Sequence, residues 1–256
     1  MSESAAAITQ GLDRRSSWRA RVSRKFFVAM SIAMLAIVAL GFGPTLFLRP
    51  FFPVPKIPAS LLLHGAVLTA WFVWFLVQSS LVVAGNTVLH RRMGIVGVVI
   101  AVCVVAASLL AMVPFVPRMR EIGTDFETEG ARLAAGQIGD SLTLVAFVAM
   151  VTLAVVWRRR PELHKRLMFF ASLQILGPAG ARTPASFAAL GLSPIGAPFL
   201  VFLLITTGGP IAYDLLSRGR LHPLTIVCLP IQLGSVFLSF ALAGDESIRG
   251  FILSLH

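Results

Sequence analysis

The chain of 256 residues contains 57% hydrophobic and only 13% charged residues, and its mean hydropathy is +0.86. Soluble domains hold about 25% charged residues, so this composition excludes a soluble globular protein and indicates an integral membrane protein. The formal net charge of +11 does not indicate nucleic-acid binding, because the basic residues lie between apolar segments, where we expect them to contact anionic lipid headgroups.

Seven apolar segments reach or approach the length of about 20 residues that a helix needs to cross a membrane. The fifth is the shortest and least apolar. The segments are Phe26–Leu48, Ala59–Ala84, Gly94–Phe115, Ser141–Trp157, Leu167–Ala181, Gly196–Ala212 and Pro223–Leu242. The sequence therefore predicts an all-α, polytopic membrane helix bundle of about seven transmembrane helices over residues 26–244. A basic arm, residues 1–25, precedes the bundle, and a short tail, residues 245–256, follows it.

The Lys and Arg residues predict the orientation of the bundle. Most of the 22 lie on one side of the spans: in the arm, after span 2, between spans 4 and 5, and after span 6. The positive-inside rule places this side in the cytoplasm. The N-terminus is then cytoplasmic, and an odd number of spans puts the C-terminus outside. We expect residues 118–132 to lie outside and residues 158–166 to lie inside.

Three of the five histidines lie in basic clusters at the inner starts of spans 3, 5 and 7. These are His90, His164 and His222. One interpretation is that the three helix N-termini, with their free N–H groups and basic neighbours, bind phospholipid headgroups. The other is that the three imidazoles converge and bind a transition metal or haem, helped by the carboxylate of Glu162 or Asp214.

A polar stripe on span 2 predicts a second site near the outer face. His64, Trp71 and Gln78 recur every seven residues and so lie nearly on one helix face. Polar groups within lipid usually face the bundle interior. Asp140 and Arg182 end spans 4 and 5 on the outer side, where they and His64 are expected to form one hydrogen-bonded cluster. This outer polar cluster is either a buried ion pair that fixes helix packing or the lining of a pocket for a quinone, a lipid or a haem propionate.

Two helix starts resemble those of uncharacterised bacterial multipass membrane protein families with HRxxG and HxRxM motifs. The matching residues are His90, Arg91 and Gly94, then His164, Arg166, Met168 and, about fifteen residues on, Arg182. Some of these families are similar to membrane cytochromes or oxidase assembly factors. The resemblance therefore implies the cytoplasmic (inner) membrane of a bacterium and haem as a cofactor, with the inner histidines and His64 as candidate ligands. The two-haem transmembrane b-type cytochromes need histidine pairs on both sides, whereas the outer half here offers only His64 and His256.

Three functions are compatible with these patterns. The first is a redox or metallocofactor membrane protein that uses the inner histidines. The second is a non-enzymatic accessory or assembly subunit of a larger protein complex. The third is a binding or transport protein for a small hydrophobic ligand. The sequence contains no phosphate-binding loop, nucleophile elbow or HExxH motif, so no residues support ATPase or hydrolase activity.

Overall fold

The computed structural model describes residues 25–52, 56–189 and 197–254. Most of the basic arm, up to residue 24, and His256 lie outside these ranges. The helices are α1 (Lys25–Phe47), α2 (Ala59–Val83), α3 (Thr87–Met112), α4 (Phe115–Glu121), α5 (Phe126–Val156), α6 (Pro161–Gln174), α7 (Gly177–Ala189), α8 (Ala197–Leu203), α9 (Gly209–Arg218), α10 (Pro223–Gly244) and α11 (Glu246–Ser254).

Six helices in the described ranges are long and apolar enough, by length and composition, to cross a membrane. They are α1, α2, α3 continued by α4, α5, the segment Leu200–Arg218 that joins α8 to α9, and α10. No strand occurs in the same ranges. The fold therefore agrees with the predicted all-α bundle of membrane-spanning type. The seventh span and the side of the membrane on which each terminus lies stay predictions.

The fifth predicted span forms two successive helices, α6 and α7. α6 ends at Gln174 and α7 begins at Gly177, with Pro178, which has no N–H to donate, in its first turn. Nearly every side chain of α6 from Arg166 to Gln174 is buried. A helix surrounded by other helices needs no lipid-facing surface. This position explains why the segment is the least apolar of the seven.

The remaining helices pack around α5 and α6. α5 contacts α3, α6, α10 and α11, while α2 packs along α3 and α7 packs against α8. Aromatic and aliphatic side chains of α1, α2, α3, α5 and α6 fill the space between them. The largest fully buried members of this core include Met34, Trp71, Phe72, Val104, Phe147, Phe169 and Phe170. Its side chains thereby fix the relative positions of five helices.

α5 begins well before the predicted fourth span. The Asp125 side chain accepts a hydrogen bond from the Glu127 N–H at 2.9 Å and so caps the helix. Glu127 and Glu129 then place negative charge at the positive end of the helix dipole. The predicted outer loop, residues 118–132, is therefore largely helical. As a result, Asp140 lies near the middle of α5 rather than at its end.

Two other boundaries shift for similar reasons. α3 begins ahead of the predicted third span, because the Asn86 side chain accepts a hydrogen bond at 3.1 Å from an N–H of the first turn. α9 continues beyond the predicted sixth span and ends where Gly219 adopts a left-handed φ of 72°. These shifts place His90 and Asp214 inside helices.

α1 and α7 cross closely at Gly41. A Cβ atom there would lie 2.3 Å from the backbone oxygen of Ala179, and the Ser186 hydroxyl donates a 3.0 Å hydrogen bond to the Gly41 carbonyl. We expect Gly41→Ala to lower the free energy of unfolding, measured by SDS titration in mixed micelles, by about 1–3 kcal/mol. Gly43→Ala is the matched control, because a Cβ at Gly43 meets nothing within 4 Å. Equal losses in the two variants would contradict this close packing.

Candidate ligand-binding site

A cavity of about 340 Å³ lies between α1, α2, α3, α5 and α7. We call it the polar cavity. Much of its wall is apolar, with Val38, Phe42, Leu61, Leu68, Phe72, Ala111, Leu144 and Ile175 among the lining residues. Five larger polar side chains also line it, namely His64, Arg118, Gln137, Asp140 and Arg182. Pockets of roughly 300–1,000 Å³ with mostly apolar walls and a few polar groups are typical sites for small molecules.

Three members of the predicted outer polar cluster line this cavity. His64 comes from α2, Asp140 from α5 and Arg182 from α7. In the part of the chain that the structure describes, however, no hydrogen bond or ion pair joins any two of them. The directly bonded cluster expected from the sequence is therefore wrong in this respect. The physical reason is that three different helices place these side chains around one open space rather than in direct contact.

The charges around the polar cavity still influence each other. Asp140 and Arg182 attract each other electrostatically, and Arg118 lies close enough to Arg182 to repel it. Arg182 donates a 3.3 Å hydrogen bond to the Pro178 carbonyl and places its guanidinium 5.0 Å from the centre of the Phe42 ring. Asp140 and Arg182 are accessible to a water-sized sphere although helices surround them. Both side chains also line the cavity.

Arg118 is a lining residue that the sequence did not single out. It lies on α4, which continues the line of α3 beyond Pro114, whereas the sequence analysis counted it as an outer loop charge. Its Nη1 atom is buried and has no hydrogen-bond partner, as is also true of the His64 Nδ1 atom. The apolar Phe115 and Val116 after Pro114 were the signal that could have extended the third span to include it.

Trp71 and Gln78 do not line the polar cavity. The Trp71 indole N–H donates a 3.1 Å hydrogen bond to the Ser172 hydroxyl, and its ring packs edge-on against Phe147 with the centroids 5.0 Å apart. The Gln78 amide is buried without a hydrogen-bond partner. Leu68, Thr69 and Phe72 flank Trp71 on α2 and do line the cavity, so Trp71 lies at the level of the cavity but faces the core instead. Gln78 lies about 10 Å further along the helix than Trp71. Of the three residues, only His64 lines the cavity.

The other three histidines of the described ranges lie at the opposite end of the bundle, which we call the histidine end. His90 is in the first turns of α3, His164 is in the first turn of α6, and His222 is the N-cap of α10. The rings of His90 and His164 are nearly perpendicular, with centroids 6.3 Å apart. The His164 Nδ1 atom lies 2.9 Å from the Ala154 carbonyl oxygen.

His222 has a structural role as a helix cap. Its Nδ1 atom accepts a hydrogen bond from the Leu224 N–H at 3.0 Å. Burial, and then the positive charge of Arg166, lower the pKa of His222 below its usual value. The lowered pKa favours the neutral imidazole, whose unprotonated nitrogen can accept this bond.

The structure does not support the predicted metal site. No group of three or more His, Cys, Asp or Glu residues in the described ranges is placed to hold a metal ion. In the predicted set of His90, His164 and His222, the last uses a ring nitrogen to cap α10. Glu162 and Asp214, the carboxylates expected to join the set, bind Arg166 instead. Haem binding by these histidines or by His64 stays a prediction.

A buried ion pair connects α6, α9 and α10 at the histidine end. Arg166, 2% exposed, donates hydrogen bonds from Nη2 and Nε to Asp214 Oδ1 at 2.6 and 3.0 Å. The second Asp214 oxygen accepts a 2.8 Å hydrogen bond from the backbone N–H of His222. Arg166 also donates to Glu162 at 2.6 Å, and its guanidinium carbon lies 5.0 Å from the centre of the Tyr213 ring. The pair therefore ties three helix ends together.

No protein-family model, no curated protein and no solved structure matches this chain. The polar cavity and the histidine end differ in how their charges are satisfied. At the histidine end the buried charges of Arg166 and Asp214 bind each other directly, whereas the charged side chains of the cavity line a space large enough for a small molecule.

Proposed function

We propose that this chain is a multi-pass membrane protein that binds a small amphipathic ligand in the polar cavity. The observation that carries the proposal is the convergence of His64, Asp140 and Arg182, from three helices, on one cavity of about 340 Å³. The apolar wall is suited to the body of such a ligand. The polar side chains are suited to its head.

The contrast with the buried ion pair supports a binding role over a purely structural one. Charges in a low-dielectric interior are costly unless they are paired and hydrogen-bonded. Arg166 and Asp214 meet this requirement within the protein. Asp140 and Arg182 do not bond each other, and Arg118 retains an unpartnered Nη1 atom. A ligand head with acceptor oxygens would supply the missing partner.

The break between α6 and α7 lies at the same cavity. Ile175, at the end of α6, and Pro178 and Ala179, at the start of α7, are among the lining residues. Binding sites of secondary transporters are often formed where membrane helices are discontinuous. The broken helix is therefore consistent with a ligand that enters and leaves, as in transport.

The histidine end supports a second contact, with the membrane itself. Arg91 and Arg92 at the start of α3, and residues 158–160 between α5 and α6, are exposed at this end. Clustered basic residues beside membrane helices attract anionic headgroups. We propose that these residues contact anionic lipid, as the sequence predicted.

Filling the cavity tests the proposed function. Ala111, on α3, is buried and lines the cavity, so Ala111→Phe should occupy part of its volume. Ala106→Phe is the matched control, because Ala106 is exposed on the same helix. We expect solvent extraction and mass spectrometry of purified protein to recover one amphiphile at near-stoichiometric amount from wild type and Ala106→Phe, and several-fold less from Ala111→Phe. The same small-molecule profile in all three proteins would contradict the proposal.

A further inference from the structure

We infer that the ligand of the polar cavity carries one negative charge on its head, in the form of a carboxylate. This inference rests on the proposed function and specifies the chemistry of the ligand. It follows from three features: the balance of charge around the cavity, the hydrogen-bonding state of Arg118, and the apolar character of the wall.

The charged side chains around the cavity do not balance. Arg118 and Arg182 each carry a positive charge, and Asp140 carries the only negative charge among the described lining residues. Counting these three side chains, the lining has an excess of one positive charge. Two guanidinium groups close enough to repel each other are stabilised when an anion lies beside them, and the effect is strong where the local dielectric constant is low.

Among the described residues that line the cavity, Arg118 is the cation that lacks an attracting carboxylate. Arg182 has the attraction of Asp140 and a hydrogen bond to the Pro178 carbonyl. Arg118 packs its guanidinium carbon 5.7 Å from the centre of the Phe115 ring, and its Nη1 atom is buried without a hydrogen-bond partner. No ion pair of Arg118 occurs in the described part of the chain. The ligand head therefore belongs beside Arg118.

A carboxylate is the head group that matches this geometry. Its two coplanar oxygens can accept two parallel N–H bonds from a guanidinium fork. A single negative charge on the ligand offsets the one excess positive charge of the lining. A dianion would instead leave Asp140 facing an uncompensated negative charge. Phe42, Leu68 and Phe72 line the same space and suit an alkyl chain or ring attached to the carboxylate.

Three octyl compounds that differ only in their heads test the inference: octanoate, octan-1-ol and octylammonium. Their affinities are measured by calorimetry with the protein in phosphatidylcholine nanodiscs. We expect octanoate to bind at least about 10-fold more tightly than the other two, because only its carboxylate can form charge-assisted hydrogen bonds with the Arg118 guanidinium. Arg118→Gln should remove this preference for octanoate. Arg132→Gln is the matched control, since Arg132 is exposed and paired with Glu129.

Arg118→Lys keeps the charge without the fork, so an intermediate octanoate affinity in that variant separates loss of recognition from loss of folding. Equal binding of octanoate and octan-1-ol, with both blocked by Ala111→Phe, would overturn the inferred charge and leave the proposed function intact. Tighter binding of octylammonium would overturn it as well. If no octyl compound bound in an Ala111-dependent way, both the inference and the proposed function would fail.

Discussion

Replacing Asp214 with alanine should lower the free energy of unfolding by about 3–5 kcal/mol, because the substitution removes the only fully buried counter-ion that the described residues give the Arg166 guanidinium. Asp214 is fully buried and Arg166 is 2% exposed. The Glu162 carboxylate, 54% exposed, cannot replace the lost partner within the interior. The substitution also frees the backbone N–H of His222, so the start of α10 should loosen. SDS titration of the purified protein in mixed micelles measures the loss.

Two further variants separate the contribution of the Arg166–Asp214 ion pair from other effects of the substitution. Asp214→Leu combined with Arg166→Met removes both charges and should recover much of the stability lost in Asp214→Ala, since well-packed apolar replacements of buried pairs are often neutral or better. Glu129→Gln removes one partner of the exposed pair with Arg132 and should cost at most about 1 kcal/mol. A loss in Asp214→Ala no larger than that in Glu129→Gln would show that the buried pair contributes little.

The class of fold could be predicted from the sequence because lipid imposes a strong constraint on composition and on segment length. The fifth predicted span, the least apolar of the seven, does not follow this constraint. α6 is shielded by other helices on nearly every side, so it carries Arg166, Ser172 and Gln174 without meeting lipid. The hydropathy of a segment indicates whether the segment contacts lipid, and it does not indicate where the segment lies in the bundle. A hydropathy scan therefore gives a low score to a helix that is shielded from lipid at the centre of the bundle.

The boundaries of α5 show a second limit. Residues before Ser141 are polar enough to predict a loop, yet the Asp125 cap and acidic first turn start a helix there. The helix is stabilised by packing of its N-terminal half against α10 and α11, through residues such as Ala134, Ala135 and Ile138. Such contacts between distant segments leave no local pattern in the sequence.

The candidate site was partly predictable for the same physical reasons. His64, Asp140 and Arg182 are polar groups within apolar spans, and polar groups in membranes turn inward. All three line one cavity. Inward-facing groups can bind either each other or a ligand. The distances between their side chains decide which, and those distances depend on how the helices pack. The pairing of Arg166 with Asp214, on segments distant in the sequence, depends on packing in the same way.

Trp71 is the residue for which the sequence and the structure assign different roles, and its substitution distinguishes them. The indole is 1% exposed, packs against Phe147 and donates to the Ser172 hydroxyl. We expect Trp71→Ala to lower the free energy of unfolding by about 3 kcal/mol, through the lost packing and the cavity left behind. Trp71→Phe should cost only about 0.6–1 kcal/mol, the contribution of a single hydrogen bond between membrane helices. SDS titration of both variants gives the comparison.

Ligand binding provides the decisive second measurement, because Trp71 contacts the core and not the polar cavity. The affinity of Trp71→Phe for octanoate should equal that of wild type. Arg118→Gln, in contrast, should bind octanoate more weakly. Trp74→Ala, one turn further along α2, is a matched control: the Trp74 side chain is only half-buried and its indole N–H has no hydrogen-bond partner, so its removal should destabilise the protein less. If Trp71→Phe weakened octanoate binding as strongly as Arg118→Gln, Trp71 would belong to the binding site, as the seven-residue stripe predicted. The buried contact with Ser172 would then have to open when the ligand binds.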